Sequence, residues 1–123
     1  MNTRKSGAIA ERIAACFLAL KGCAILERNY RFHGKEIDLI ALEGERVLFV
    51  EVKFRRTRQR GLPREAVDRR KRRRIIFAAR GFFSERGGRE RACRFDVVEV
   101  MLEDGGRALR AEHIVGAFDE GAR

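Results

Sequence analysis

KEIDLIALEGERVLFVEVK, residues 35–53, sets two apolar runs on either side of Glu43-Gly44-Glu45-Arg46. Ile, Leu, Val and Phe suit the pleated, half-buried surface of a strand, and a short Gly-containing break between such runs signals a hairpin. We expect one strand over 36–42 and another over 47–54. The open end of this hairpin is polar, with Glu36 and Asp38 on the first run and Glu51 and Lys53 on the second. Side chains alternate faces along a strand. A turn centred on Gly44-Glu45 pairs 42 with 47, 40 with 49, 38 with 51 and 36 with 53. All four ionisable groups then share one face, Glu36 meeting Lys53 and Asp38 meeting Glu51.

The second of these pairs carries the chemistry. Directly opposed residues have Cβ atoms roughly 5 Å apart, and like charges there repel. Two such carboxylates resist ionising together. A divalent cation between them removes the conflict, and Mg²⁺ is typically held by one or two carboxylates plus water and phosphate oxygens. Lys53 adds a positive charge on the same side. It could orient or deprotonate a metal-bound water or neutralise developing charge. The other reading is a hydrated strand end, its acids splayed into solvent or paired with arginines. A one-residue slip in register would put Asp38 and Glu51 on opposite faces.

Outward from the hairpin, Ile9, Ile13, Cys16, Phe17 and Leu20 recur at helical spacing, so residues 8–21 read as a helix with Ser6 or Asn2 as candidate caps and Gly22 as a stop. Residues 23–32 form a first strand. After the hairpin, RRTRQRGLPR is a loop punctuated by Gly61 and Pro63. Pro63 suits the entry to a helix over 64–84, with Val67, Ile75, Ala78, Ala79 and Phe82 on one stripe. Lys71 falls on that stripe and could reach the candidate site. Strands over 93–101 and 108–115 complete the order α-β-β-β-α-β(-β). The 123 residues fit one domain, 1–123, of the α/β class: a mixed sheet flanked by helices.

Twenty-eight basic residues against eighteen acidic ones give a net charge of +10. Such a field attracts nucleic acid, an anionic membrane or an acidic protein. Eleven of the basic residues lie between Arg55 and Arg74, beginning two positions after Lys53. Arg55, Arg56, Arg70, Lys71 and Arg74 are the candidates for phosphate contact, which positions a backbone without reading sequence. Tyr30 and Phe32, near Arg28 and Arg31, are candidates for core packing or base stacking, and His33 for a plain loop residue or a helper near the site. No apolar run approaches the ~20 residues of a membrane span. The apolar part of the N-terminal segment is interrupted by Glu11 and Arg12. Cys16, Cys23 and Cys93 are odd in number, lack metal-ligand spacing and read as buried thiols. We expect a cytoplasmic protein.

An acidic residue followed, across a hairpin, by Glu51-Val52-Lys53 resembles the PD-(D/E)XK signature of restriction-endonuclease-like nucleases, with Ile37-Asp38 in place of Pro-Asp. A longer set extends the likeness. It comprises Gly7, Glu11, Ala14, Arg28-Asn29, Arg31, Glu36 to Ala41, Phe49 to Lys53, Arg94 to Val98, His113-Ile114 and Ala117-Phe118. Together these resemble the bacterial YraN-type family of endonuclease-like proteins. Lys35 departs from it, standing where that family commonly has Gly.

The resemblance implies a restriction-endonuclease-like fold. It also implies catalytic Asp38, Glu51 and Lys53, with Glu36 in support and DNA favoured over RNA. By similarity to archaeal Holliday-junction resolvases of the fold, Glu11 on the first helix joins Asp38 and Glu51 around Mg²⁺ or Mn²⁺. The function expected is metal-dependent phosphodiester hydrolysis in branched or damaged DNA. The alternative is a non-catalytic nucleic-acid-binding module on the same scaffold.

Overall fold

The computed structural model describes residues 3–56 and 67–120. Asn2, Gly61, Pro63, the basic residues Arg58, Arg60 and Arg64, and the expected first turn at 64–66 lie outside the described residues. The chain runs α1 (Thr3–Leu20), β1 (Ala24–Phe32), β2 (Lys35–Glu43), β3 (Arg46–Arg55), α2 (Arg69–Glu85), β4 (Cys93–Glu103), a 3₁₀ turn at Asp104–Gly106 and β5 (Ala108–Phe118). The strands lie in the order β1-β2-β3-β4-β5. All neighbours are antiparallel except β3 and β4, which α2 joins in parallel. This is the mixed, helix-flanked sheet expected, and β5 is the anticipated last strand, lying at the sheet edge.

Alternation along the strands divides the core into two layers. Val47, Phe49, Phe95 and Val97 pack under α2 with Ile75, Ala78, Phe82 and Phe83. Leu48, Val50, Val98 and Val100 pack under α1 with Ala10, Ala14, Ala15 and Leu18. The face α1 buries is therefore alanine-rich, and of the expected stripe only Ile13 and Phe17 pack against this layer, half-buried at its edge. Leu20 is 88% exposed, Ile9 is exposed, and Cys16 is a surface thiol. Small side chains let the helix lie close on the sheet, so the larger apolar residues are left at its margin. The same rotation turns Glu11 partly inward. Ser6 is no cap, because α1 begins at Thr3.

α2 begins at Arg69 rather than 64, because the Asp68 carboxylate caps it by accepting the Lys71 N–H at 2.9 Å. Val67 is buried but precedes the helix. Gly81 explains how β1 approaches α2. A Cβ built there would come within 2.3 Å of the Phe32 ring, so the ring occupies the space a side chain would need. Gly81→Ala gains about 1 kcal/mol of helix propensity. It should still destabilise the protein, by a net of up to about 2 kcal/mol, because overpacking costs about 1–3. Thermal unfolding would show the lowered midpoint; a raised one would mean that Phe32 moves aside freely.

Two acids interrupt the ladders. Asp96 on β4 is fully buried opposite a bulge in β5. It accepts from Arg94 Nε and Nη2 at 2.8 and 2.9 Å and from the Gly116 N–H at 2.9 Å, and it lies 2.8 Å from His113 Nε2. Gly116, at φ 62°, adopts a conformation few other residues tolerate. Burial alone would raise the Asp96 carboxyl. The hydrogen bonds from His113, Arg94 and Gly116 outweigh it and hold the group below the usual carboxylate range. Asp96→Asn should cost about 3–5 kcal/mol by removing the buried counter-charge of Arg94, which keeps only the more exposed Glu43 at 3.3 Å, read as a fall in the urea midpoint. Because the folded value is depressed, this stabilisation is complete above the unfolded value of about 3.9 and fades as pH falls through the lower folded one.

Asp38 is the second interruption. β2 and β3 pair as expected from Glu43 with Arg46 down to Leu39 with Val50. Beyond that the Asp38 Oδ2 accepts the Val52 N–H at 2.8 Å, standing in for a backbone carbonyl. Alternation also breaks there, since Ile37 packs under α2 while Leu39 packs under α1. The expected meeting of Glu36 with Lys53 therefore does not occur.

Candidate metal centre and basic cleft

The break in the hairpin gathers acids from three elements. One carboxylate oxygen each from Glu11 on α1 and from Glu36 and Asp38 on β2 lie within 4.8 Å of one another. Asn29 on β1 holds two of them, donating from Nδ2 to Glu11 at 2.8 Å and to Glu36 at 2.9 Å. Arg31 Nη2 adds a contact to Glu36 at 3.1 Å. Sequence reasoning placed Asn29 and Arg31 only within the family likeness, with no site role. Asn29 has φ 52° inside a strand, and Asn is among the few residues that tolerate this conformation. An Asn in an otherwise strand-favouring run was the available signal.

Glu51 flanks the trio. It is 4% exposed and ion-paired to Lys71 on the first turn of α2. Burial and, after it, the charge of Glu51 raise the Asp38 carboxyl to about 8 against the lowering effect of the Val52 N–H. Asp38 and Glu51 thus conflict electrostatically as the sequence suggested, and Lys71 relieves part of the conflict. Burial would lower the Lys71 ammonium, but its contact with Glu51 raises it overall.

Lys53 shares a cavity wall with Glu11, Asp38, Glu51 and Lys71, and forms no ion pair among the described residues. Its backbone partner is Glu99 on β4. A second cavity of about 560 Å³ opens on the α2 side, lined by Arg31, Glu36, Asp38, Glu51, Arg70, Lys71 and Arg74 among others. Arg70 and Arg74 are exposed along it and Arg56 is exposed at the end of β3. Arg55 is instead turned inward to the buried Glu99, which it ion-pairs. Tyr30 lies edge-on to Phe82 and donates to Glu85, so the core-packing alternative describes it. No helix among the described residues is long and apolar enough to cross a membrane.

The basic residues of α2 are concentrated at its N-terminus, with no acidic residue in the first turn. That is the positive end of the helix dipole, where cations are disfavoured and anions favoured. The arrangement costs stability and focuses positive potential on the rim of the acidic cleft.

The family profile described as "Uncharacterised protein family UPF0102" matches residues 10–100, a span that holds Glu11, the hairpin, α2 and most of β4. Among curated proteins, a UPF0102 protein of Moorella thermoacetica is 46% identical over 118 residues, covering 96% of this chain and 98% of the relative. UPF0102 protein CT2262 of Chlorobaculum tepidum is 45% identical over 116 residues, covering 91% and 90%. A UPF0102 protein of Dictyoglomus thermophilum is 38% identical over 118 residues, covering 96% and 100%. On these matches along nearly its whole length, the chain belongs to the UPF0102 family, the YraN-type group that its hairpin resembles.

Proposed function

We propose that the protein is a divalent-metal-dependent endonuclease acting on DNA, with branched or damaged DNA as its substrate class. The observation that carries this reading is the convergence of Glu11, Glu36 and Asp38 within 4.8 Å, beside Glu51 and under a basic helix. The donors are all carboxylate oxygens, the set that suits Mg²⁺ or Mn²⁺ rather than a softer ion. Burial first, and then the charge of Glu51, raise the Asp38 carboxyl, and such an ion would relieve both by favouring the ionised form. When bound there, the cation would polarise the phosphate and lower the pKa of a coordinated water.

The chain's own groups would do the rest. Asn29 sets the spacing of Glu11 and Glu36. The Val52 N–H holds Asp38 by one oxygen. Lys53 and Lys71 offer ammonium groups to a phosphate or to the attacking water, and Arg70 and Arg74 position the flanking backbone. Incubation with forked, four-way and nicked DNA in Mg²⁺ or Mn²⁺ tests the reading. Cleavage that EDTA abolishes is expected, and intact substrates throughout would overturn it.

A second reading draws on one specific feature: the acids already have partners in Asn29, Arg31 and Lys71. A satisfied polar cluster of this kind could serve a module that binds nucleic acid without cutting. It predicts salt-sensitive binding that survives Asp38→Ala and Glu51→Ala, with no cleavage in any metal.

A further inference from the structure

Beside the cleft lies a group of rings at the margin of the core, Phe32 packed against it and Phe77 exposed outside it. Phe77 projects from the outer side of α2 and is 45% exposed. Phe32, at the end of β1, lies against it with ring centroids 5.5 Å apart. His33 stands edge-on to both, 4.3 Å from Phe32 and 6.3 Å from Phe77. Lys35 places its ammonium over the Phe77 ring, 5.3 Å from the centroid. A single exposed Phe needs no explanation. Three rings sharing an exposed edge with a cation do.

The group is held in place. The two-residue turn between β1 and β2 is His33-Gly34, with φ 50° and 79°, the left-handed pair that the tightest hairpins demand. Phe32 is seated against the backbone of Gly81, one turn of α2 beyond Phe77. The group is also continuous with the cleft. Gly34 of the turn lines the same cavity as Glu36 and Asp38, and so does Arg74, one turn before Phe77. Residues so spaced on a helix have Cβ atoms about 5–6 Å apart.

Resting on the nucleic-acid reading above, we propose that Phe77, with His33, is a stacking platform for an unpaired nucleobase of the strand whose phosphates enter the acidic cleft. Every nucleobase has a π-face, so stacking of this kind is tolerant of sequence and adds to a basic groove that tracks the backbone. In a continuous duplex the faces of the bases are already stacked on one another. The platform can therefore engage only single strands, flaps, frayed ends or the open centre of a branch. It supplies what the arginines cannot, a preference for unpaired structure.

The test compares wild type, Phe77→Ala and Phe77→Trp, binding in EDTA to a single strand of about 16 nucleotides carrying 2-aminopurine and to the same sequence as duplex. Stacking of one base predicts that Phe77→Ala weakens single-strand binding about 5- to 150-fold. The duplex should change by less than about 2-fold, and 2-aminopurine quenching should disappear. Phe77→Trp should restore both affinity and quenching. Equal effects on the two substrates, or none on either, would overturn the platform and leave the nucleic-acid reading standing. If wild type binds neither substrate, both fall together.

Discussion

Asp38→Asn is expected to abolish metal-dependent cleavage while making the metal-free protein more stable at pH 8. Loss of a contact that merely supports a metal ligand costs about 10–100-fold, so removing a ligand should reduce the rate by at least about 100-fold. The stability effect has the opposite sign. Burial and the neighbouring Glu51 raise the folded Asp38 carboxyl to about 8, against about 3.9 unfolded. Between those values the folded state binds more protons, so stability falls as pH rises from about 4 to about 8. Asparagine keeps an oxygen for the Val52 N–H and carries no charge, which flattens this slope. Urea midpoints at pH 5 and pH 8 in EDTA, for wild type and variant, read the effect directly. A variant less stable than wild type at pH 8 would show that repulsion is not what Asp38 contributes.

Lys71→Gln should behave in the reverse way. Glu51 is buried and Lys71 is its ion-pair partner. Removing one member of a fully buried pair costs about 3–5 kcal/mol. The Lys71 side chain is 44% exposed, so solvent screening reduces this to about 1–3 kcal/mol. The loss should be largest in EDTA. Mn²⁺ should recover more of it in the variant than it adds to wild type, because the vacated Glu51 becomes a further oxygen donor. Urea midpoints with and without Mn²⁺ measure both effects. If Mn²⁺ recovers nothing, Lys71 does not stand in for a cation at Glu51.

The two carboxylates that interrupt the sheet respond oppositely to pH. Asp96 is held low by its hydrogen-bond donors, and its contribution is lost in acid. Asp38 is held high, and its cost grows toward neutrality. Metal-free protein should therefore be most stable in mildly acidic solution.

The sheet and its helices were legible because alternation and turn chemistry are local. Glu43-Gly44-Glu45-Arg46 determined the hairpin register, and that register holds as far as Leu39 and Val50. It failed one pair later, where a side-chain carboxylate replaced a carbonyl, a substitution that alternation cannot foresee. The orientation of α1 was misread for a related reason. Hydrophobic periodicity favours large apolar residues, whereas the contact is made by Ala10, Ala14 and Ala15 with Leu18 as its one large member. Lys71 was found on its stripe, but its partner Glu51 comes from a distant strand and no spacing rule links the two. Asp96 and His113 lie far apart in sequence, and their contact depends on the β5 bulge.

The alanine face of α1 has a consequence for how this family can vary. Methyl groups have no length to adjust, so Ala10, Ala14 and Ala15 leave little play in the distance from helix to sheet. Glu11 rides on that distance. A larger residue at Ala10 or Ala14 would lift the whole helix, and Glu11 would leave its companions without any acid having been changed. The position of one acid of the cluster is thus written into residues that carry no functional group, and a search confined to charged side chains would miss the substitutions that part it from the others.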